Sequence, residues 1–158
     1  MLVTFTRTSE RRYRIDVEGK GVVRSFMEPA AGYDDRLPHD LAHFVVENYL
    51  GLGGAVYGRL AAGGHQFQPT DGKRPTGKKG KDQITASQRA EAEMAERIID
   101  IACHKWTGRE YTGSLIKGVD RSDIEEICRE YDRVSAVWSR LGVGESMTLE
   151  WTTALRSR

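Results

Sequence analysis

The chain has 158 residues, of which 39% are hydrophobic and 30% are charged, and its formal net charge is +1. This length is typical of one domain that buries a normal core, so the sequence predicts a single domain over residues 1–158. The composition excludes a disordered chain, and the balanced charge disfavours a surface devoted to nucleic acid or anionic lipid.

Strand patterns lie at both ends of the chain. Residues 2–8 (LVTFTRT) and 11–19 (RRYRIDVEG) alternate apolar with polar side chains, which predicts a β-hairpin, and residues 21–27 are a candidate third strand. Residues 145–151 (ESMTLEW) alternate in the same way and predict a C-terminal strand. With helical segments between them, these strands predict an α+β fold. A small antiparallel sheet, made of the N-terminal hairpin plus the C-terminal strand, packs against three to four helices.

The first two helices are predicted from periodicity and small residues. The first runs from about Asp35 to Leu50, with Asp35 as its N-cap. A second, short helical stretch follows in GLGGAVYGRLAAGG, where Gly54, Gly58 and Ala62 recur at every fourth position. The spacing of a phosphate-binding loop is absent, so this small-residue face is interpreted as one that packs closely against another backbone.

The third and fourth helices begin at capping-box patterns. Thr85 and Gln88 open the third helix, which is predicted to end near Trp106. Ser122 and Glu125 are expected to open the fourth helix, which continues to about residue 141. Both helices carry apolar stripes at helical spacing, which predicts that each of them buries one face against the core.

A long flexible loop is predicted at about residues 66–83, because Gly, Pro, Thr and Lys dominate that stretch. Such a loop either attracts phosphate, on nucleic acid or on a phosphorylated metabolite, or is solvated surface that resists aggregation. No aromatic side chain is interleaved for stacking, so solvated surface is favoured. Contact with an anionic partner would use its basic residues, Lys73, Arg74, Lys78, Lys79 and Lys81.

The sequence also bears on location. Cys103 and Cys128 lie far apart in helical patterns, which favours reduced thiols over a disulfide. The N-terminus lacks the long apolar region of a secretory signal, and no window approaches the ~18 apolar residues of a membrane span. A soluble cytoplasmic protein without a membrane segment is therefore predicted.

The first helix concentrates metal-ligating and acid–base side chains. His39, His43 and Glu47 lie one turn apart within an arc of about 80°, and Asp40 lies at the edge of the same side. Two imidazoles at i and i+4 can bind one divalent metal such as zinc. In that interpretation His39 and His43 are ligands, while Glu47 or Asp40 orients them or accepts protons. His65, which the glycine-rich turn carries back, is a candidate third ligand.

These residues favour a divalent-metal-dependent, hydrolase-like activity. The alternative is a non-catalytic interaction or regulatory protein, in which the histidine-bearing helix is structural and Glu47 pairs with an arginine such as Arg59. The spacing lacks the glutamate that HExxH sites place between their histidines, so both interpretations stay open. The first predicts that His39 and His43 face a common cavity with other polar side chains. The second predicts that local hydrogen bonds satisfy them or that they lie open to solvent.

Residues 32–64 (GYDDRLPHDLAHFVVENYLGLGGAVYGRLAAGG) resemble a group of small bacterial proteins that carry a PHDLxHFxVExxLG segment. Those proteins are also similar in their strand-like start and in a C-terminal strand that ends in tryptophan. The resemblance implies that the segment is one unit, and it implies no particular substrate. His39, Asp40 and His43 also resemble the HDxxH of ubiquinone-biosynthesis zinc proteins. Those proteins place their glutamate well downstream, whereas Glu47 follows His43 by one turn.

Overall fold

A computed structural model describes residues 1–72, 84–114 and 116–152. Within these residues the chain forms five strands and four helices in the order β1 (Leu2–Ser9), β2 (Arg12–Glu18), β3 (Ser25–Met27), α1 (His39–Leu50), α2 (Val56–Ala61), β4 (Gln68–Pro69), α3 (Ala86–Trp106), α4 (Arg121–Trp138) and β5 (Ser146–Glu150).

The strands form one antiparallel sheet in the order β4-β3-β2-β1-β5. The C-terminal strand β5 pairs with β1 from Leu2 opposite Glu150 to Thr6 opposite Ser146, so the two ends of the chain are neighbours. The predicted α+β fold, with its N-terminal hairpin, C-terminal strand and four helices, is confirmed. The short strand β4 lies at the start of the region that was predicted as loop.

Alternation along β1 explains why the helices cover one face of the sheet. Val3 and Phe5 are fully buried, and the Phe5 ring meets Phe44 of α1 edge to face. The intervening threonines point to the opposite face, where the hydroxyl of Thr4 lies 2.9 Å from that of Thr148 on β5. A sheet with one apolar and one polar face buries only one side, and α1, α3 and α4 pack together over that side.

Trp138, at the end of α4, closes one end of the core. Its side chain is fully buried, and its indole N–H donates to the carbonyl oxygen of Asp34 at 2.9 Å. Its ring meets Tyr13 of β2 at a centroid distance of 5.6 Å. The indole therefore ties α4 both to the hairpin and to the segment that leads into α1.

The start of α1 differs from the prediction. The helix begins at His39 with Pro38 as its N-cap and without a side-chain cap, so Asp35 does not cap it. Instead, the Asp34 carboxylate accepts the main-chain N–H groups of Arg36 and Leu37, which holds the preceding residues in a turn. The prediction extended the helix over this turn because an aspartate that binds main-chain N–H groups in a turn resembles an N-cap in sequence.

The predicted capping box is correct for α3 and wrong for α4. Thr85 and Gln88 form the expected capping box of α3. At α4 the box is formed by Asp120 and Asp123, two residues before the predicted pair that starts at Ser122. Both pairs have suitable side chains at the same spacing. Because the helix begins at Arg121, the earlier pair lies at its N-terminus and forms the box.

Two further predictions can be compared with the structure, and a third cannot. Residues 73–83, which include all five basic residues of the predicted loop, lie outside the described residues. Cys103 and Cys128 are free thiols, as predicted, and both are partly buried. Among the helices of the described ranges, none has the combination of length and apolar sequence that crossing a bilayer requires.

Candidate metal centre

Two helices bring three potential metal ligands together. His39 and His43 lie on successive turns of α1, and Glu96 projects from α3, which packs against α1. The Nε2 atoms of the two histidines are 3.1 Å apart. The carboxylate of Glu96 places Oε1 3.2 Å from Nε2 of His43 and Oε2 3.7 Å from Nε2 of His39.

These spacings suit a single ion. Zinc ligands at 2.0–2.1 Å in tetrahedral geometry lie roughly 3.3 Å from one another, close to the three distances in this group. Among the described residues, these three form the one group of three or more His, Cys, Asp or Glu side chains whose ligand atoms lie close enough together to hold a metal ion. The chain thus presents a His39/His43/Glu96 group that can hold a metal ion.

Glu47 holds His43 from the other side of the imidazole. Its side chain is fully buried, and Oε1 lies 3.1 Å from Nδ1 of His43. The other oxygen, Oε2, accepts the main-chain N–H of Tyr57 at 2.7 Å. Since a carboxylate only accepts hydrogen bonds, Nδ1 carries the proton and donates it, and Nε2 of His43 faces His39 and Glu96. The predicted pairing with Arg59 is replaced by these two contacts.

Opposing effects set the ionisation of the buried pair. Burial lowers the pKa of His43, but the hydrogen bond to Glu47 and the charges of Glu47 and Glu96 outweigh it, so the pKa lies above its usual value. Burial raises the pKa of Glu47, and the hydrogen bond and charge of His43 oppose that rise. The group therefore attracts positive charge, which either a proton or a metal ion can supply.

The stability of the metal-free protein is expected to fall as the pH rises through the folded-state pKa of His43. That pKa is raised above the ordinary 6.5, so the contribution of the proton is fully present below the unfolded-state pKa and is lost as the pH rises through the folded-state pKa. Urea unfolding in chelator across neutral pH measures this slope. His43→Gln should flatten it, and an unchanged slope in that variant would contradict the assignment.

Asp40 lies beside the ligand group and anchors α1. Its carboxylate accepts the hydroxyl of Tyr13 at 2.5 Å, and its main-chain carbonyl accepts the hydroxyl of Tyr57 at 3.0 Å. Burial raises the pKa of Asp40, while the Tyr13 hydrogen bond and the charges of His43 and His39 lower it. Asp40 therefore lies close enough to both histidines to interact with them electrostatically, but it is not one of the three potential metal ligands.

The other predicted ligand, His65, is placed elsewhere. It lines a cavity of about 280 Å³ together with Arg59, the main chain at Gly63 and Gln88, and it is not part of the ligand group. The third ligand that the structure supplies, Glu96, was missed. Glu96 is one of several exposed acids on α3, and no spacing within that helix distinguishes it, because only the packing of α3 against α1 selects it.

The three potential ligands differ in their exposure to solvent. The His43 side chain is 9% exposed, whereas the side chains of His39 and Glu96 are 51% and 58% exposed. Gly32 lies against His39, because a Cβ added there would lie 2.7 Å from the Cβ of His39, and its carbonyl accepts the His39 main-chain N–H. One side of the group is therefore sealed by the protein and the other opens to solvent.

Comparison with protein-family models, with curated proteins and with solved structures gives no match for this chain. The resemblance of residues 32–64 to small bacterial proteins with a PHDLxHFxVExxLG segment therefore stays a prediction.

Proposed function

We propose that this protein binds one divalent transition metal ion through His39, His43 and Glu96 and uses it in a hydrolytic reaction. The observation that carries the proposal is the convergence of two imidazole nitrogens and one carboxylate from two helices. With Nδ1 of His43 donating to Glu47, Nε2 of a neutral His43 is a hydrogen-bond acceptor and lies 3.2 Å from the Glu96 carboxylate, so these two atoms repel one another unless a cation lies between them. Nε2 of His39 lies 3.1 Å from Nε2 of His43 and 3.7 Å from Glu96, within reach of the same cation.

The ligand types favour zinc or a similar metal. Two imidazoles and one carboxylate are typical of zinc and of other first-row transition metals, whereas calcium and magnesium prefer oxygen ligands alone. The hydrogen bond from His43 to Glu47 supports the same assignment, because metal-bound histidines commonly donate their second ring N–H to a carboxylate.

The number of ligands and their exposure favour a catalytic site over a structural one. Structural zinc sites are closed by four protein ligands, whereas catalytic sites use three and leave a position open to water. Here three ligands are present and two of them are half exposed. When bound, such a metal lowers the pKa of a coordinated water molecule and polarises a carbonyl or phosphoryl oxygen.

In this proposal the neighbouring carboxyl groups have different roles. Glu47 is a positioning residue, because both of its oxygens are engaged and its side chain is fully buried. Asp40 is the candidate proton acceptor, because it lies beside both histidines without belonging to the ligand group. The remainder of the reacting groups would come from the substrate and from solvent.

The same contacts also suit the non-catalytic alternative. A doubly protonated His43 can donate one hydrogen bond to Glu47 at 3.1 Å and a second to Glu96 at 3.2 Å, with the raised pKa of His43 favouring that state. A proton then replaces the metal, and the histidine-bearing helix is structural. Metal binding distinguishes the two functions.

Untagged protein is expected to bind one zinc, cobalt or manganese ion per chain in elemental analysis and in metal titrations. His39→Ala and His43→Ala should weaken binding by about 100-fold or more, because each removes one of three ligands. Glu96→Gln should also weaken it, since an amide is a poor ligand. His104→Ala and Glu93→Gln, which change the same residue types on α3 outside the group, should bind as the wild type does.

Two outcomes would separate the parts of the proposal. Absence of binding with every ion tested, or equal binding by the alanine variants, would leave the structural alternative. If the metal binds, the loaded protein should hydrolyse bis(p-nitrophenyl) phosphate or p-nitrophenyl acetate, and Asp40→Asn should slow turnover by a larger factor than it weakens metal binding. Metal binding without turnover of either ester would contradict the hydrolytic step and leave the metal centre intact.

A further inference from the structure

A second cavity lies at the opposite end of α3 from its capping box. It has a volume of about 550 Å³ and lies between the last turns of α3, the segment that follows, and the first turn of α4. Small-molecule sites commonly enclose roughly 300–1,000 Å³, so this cavity is large enough for a compact metabolite. Its floor is apolar, formed by the buried side chains of Ile101 and Ile124.

The lining of this cavity is predominantly cationic. Lys105, Arg109 and Arg121 contribute three positive charges, and Glu110 contributes one negative charge. Lys105 lies 3.6 Å from Glu125, but both side chains are nearly half exposed, so this ion pair is weak. Neither arginine forms an ion pair with a carboxylate among the described residues.

An aromatic wall completes the cavity. The ring of Tyr111 meets His104 edge to face at a centroid distance of 5.7 Å. Gly113 packs directly on that ring, because a Cβ added to it would lie 2.4 Å from the Tyr111 hydroxyl oxygen. Contacts on these sides hold the ring in place, and a flat apolar ligand can pack against a ring that is already positioned.

We propose that this cavity binds a small aromatic anion, with its ring between Tyr111 and the isoleucine floor and its carboxylate, sulfonate or phosphate group against Arg109 and Arg121. Guanidinium groups suit such anions because their planar N–H donors can form paired, charge-assisted hydrogen bonds. Flat apolar area and concentrated positive charge in one cavity favour a ligand that carries both features over a bare anion or a neutral ring.

This site is separate from the metal centre. Glu96 meets the histidines on the side of α3 that faces α1, whereas Ile101 shares the cavity with Ile124 of α4. Binding in this cavity is therefore expected with or without a metal ion at the histidines, and the same protein preparation serves both tests.

The test uses 8-anilinonaphthalene-1-sulfonate as the aromatic anion and N-phenyl-1-naphthylamine as its uncharged counterpart. Fluorescence titration of the full chain should show saturable binding of the sulfonate and weaker binding of the amine. Arg109→Gln/Arg121→Gln should weaken sulfonate binding by about tenfold or more, since it removes the charged donors. Tyr111→Ala should weaken binding of both probes.

Matched controls make the result decisive. Arg89→Gln/Arg140→Gln removes the same charge from exposed positions outside the cavity and should bind the sulfonate as the wild type does. Urea unfolding of each variant checks that the dye is not reporting loosened protein. The proposal is overturned if the amine binds as tightly as the sulfonate, if no saturable binding occurs, or if both arginine pairs lose affinity equally.

Discussion

Glu47→Ala is expected to lower the free energy of unfolding by about 3 kcal/mol, because it leaves two buried donors without an acceptor. The Glu47 side chain is fully buried, and its two oxygens accept from Nδ1 of His43 and from the main-chain N–H of Tyr57. Unsatisfied buried donors cost roughly 1–3 kcal/mol each, and the vacated volume adds to that cost. Urea or thermal unfolding of metal-free protein measures the loss.

Glu47→Gln separates positioning from stability. The amide oxygen can still accept from Tyr57, but its NH₂ group then faces His43 and favours the tautomer in which Nδ1 accepts and Nε2 carries the proton. That tautomer cannot ligate, so metal affinity should fall by about 10- to 100-fold, with a smaller loss of stability than in the alanine variant. Glu93→Gln, an exposed acid on α3, is the matched control.

One outcome for Glu47→Gln would contradict its role as a positioning residue. If Glu47→Gln kept both the full free energy of unfolding and the full metal affinity, the buried carboxylate would have no role in holding His43. Glu96→Gln should behave in the opposite way, with weakened metal binding and nearly unchanged unfolding, because its side chain is 58% exposed.

Gly58→Ala is expected to destabilise the protein by about 2 to 3 kcal/mol through a main-chain clash. A Cβ at Gly58 would lie 2.1 Å from the carbonyl oxygen of Leu52 and 2.5 Å from the Cα of Gly53. Alanine is the better helix former by about 1 kcal/mol, but neither of those main-chain atoms can move without displacing the α1–α2 connection. The clash therefore outweighs the propensity gain.

The neighbouring Gly53→Ala is the matched control for this substitution. A Cβ at Gly53 would meet nothing within 4 Å, so its effect on unfolding should stay within about 0.5 kcal/mol of zero. Chemical unfolding of the two variants gives the comparison. Equal stability of Gly58→Ala and Gly53→Ala would mean that the connection yields easily and that the close approach is not required.

Gly58 and Glu47 both help to hold the candidate metal centre in position. The start of α2 presents the Tyr57 main-chain N–H to Glu47, and Gly58 lets that turn approach the end of α1 closely. The predicted small-residue packing is found at Gly54 as well, where an added Cβ would lie 2.9 Å from the Cα of Gln88 on α3, but not at Ala62, which is exposed. Gly58→Ala should therefore also weaken metal binding.

Local periodicity was enough to predict the fold. Alternation in β1 and β2 follows from burial of one sheet face, and the capping box at Thr85 is a contact between residues three apart. Where two local solutions competed, the sequence did not distinguish them: Asp35 and Ser122 are both acceptable caps, yet α1 and α4 begin elsewhere. Such choices depend on how each helix end meets the rest of the protein.

By itself the sequence determined that His39 and His43 form a pair in the candidate site. His39 and His43 lie on one face because an α-helix brings residues four apart together, whatever surrounds it. Only the tertiary structure decided the remainder, by bringing Glu96 to the histidines, burying Glu47 against Tyr57, and placing His65 beside a different cavity. These are contacts between separate elements, and they depend on the orientation in which two helices pack, which no spacing within either helix encodes.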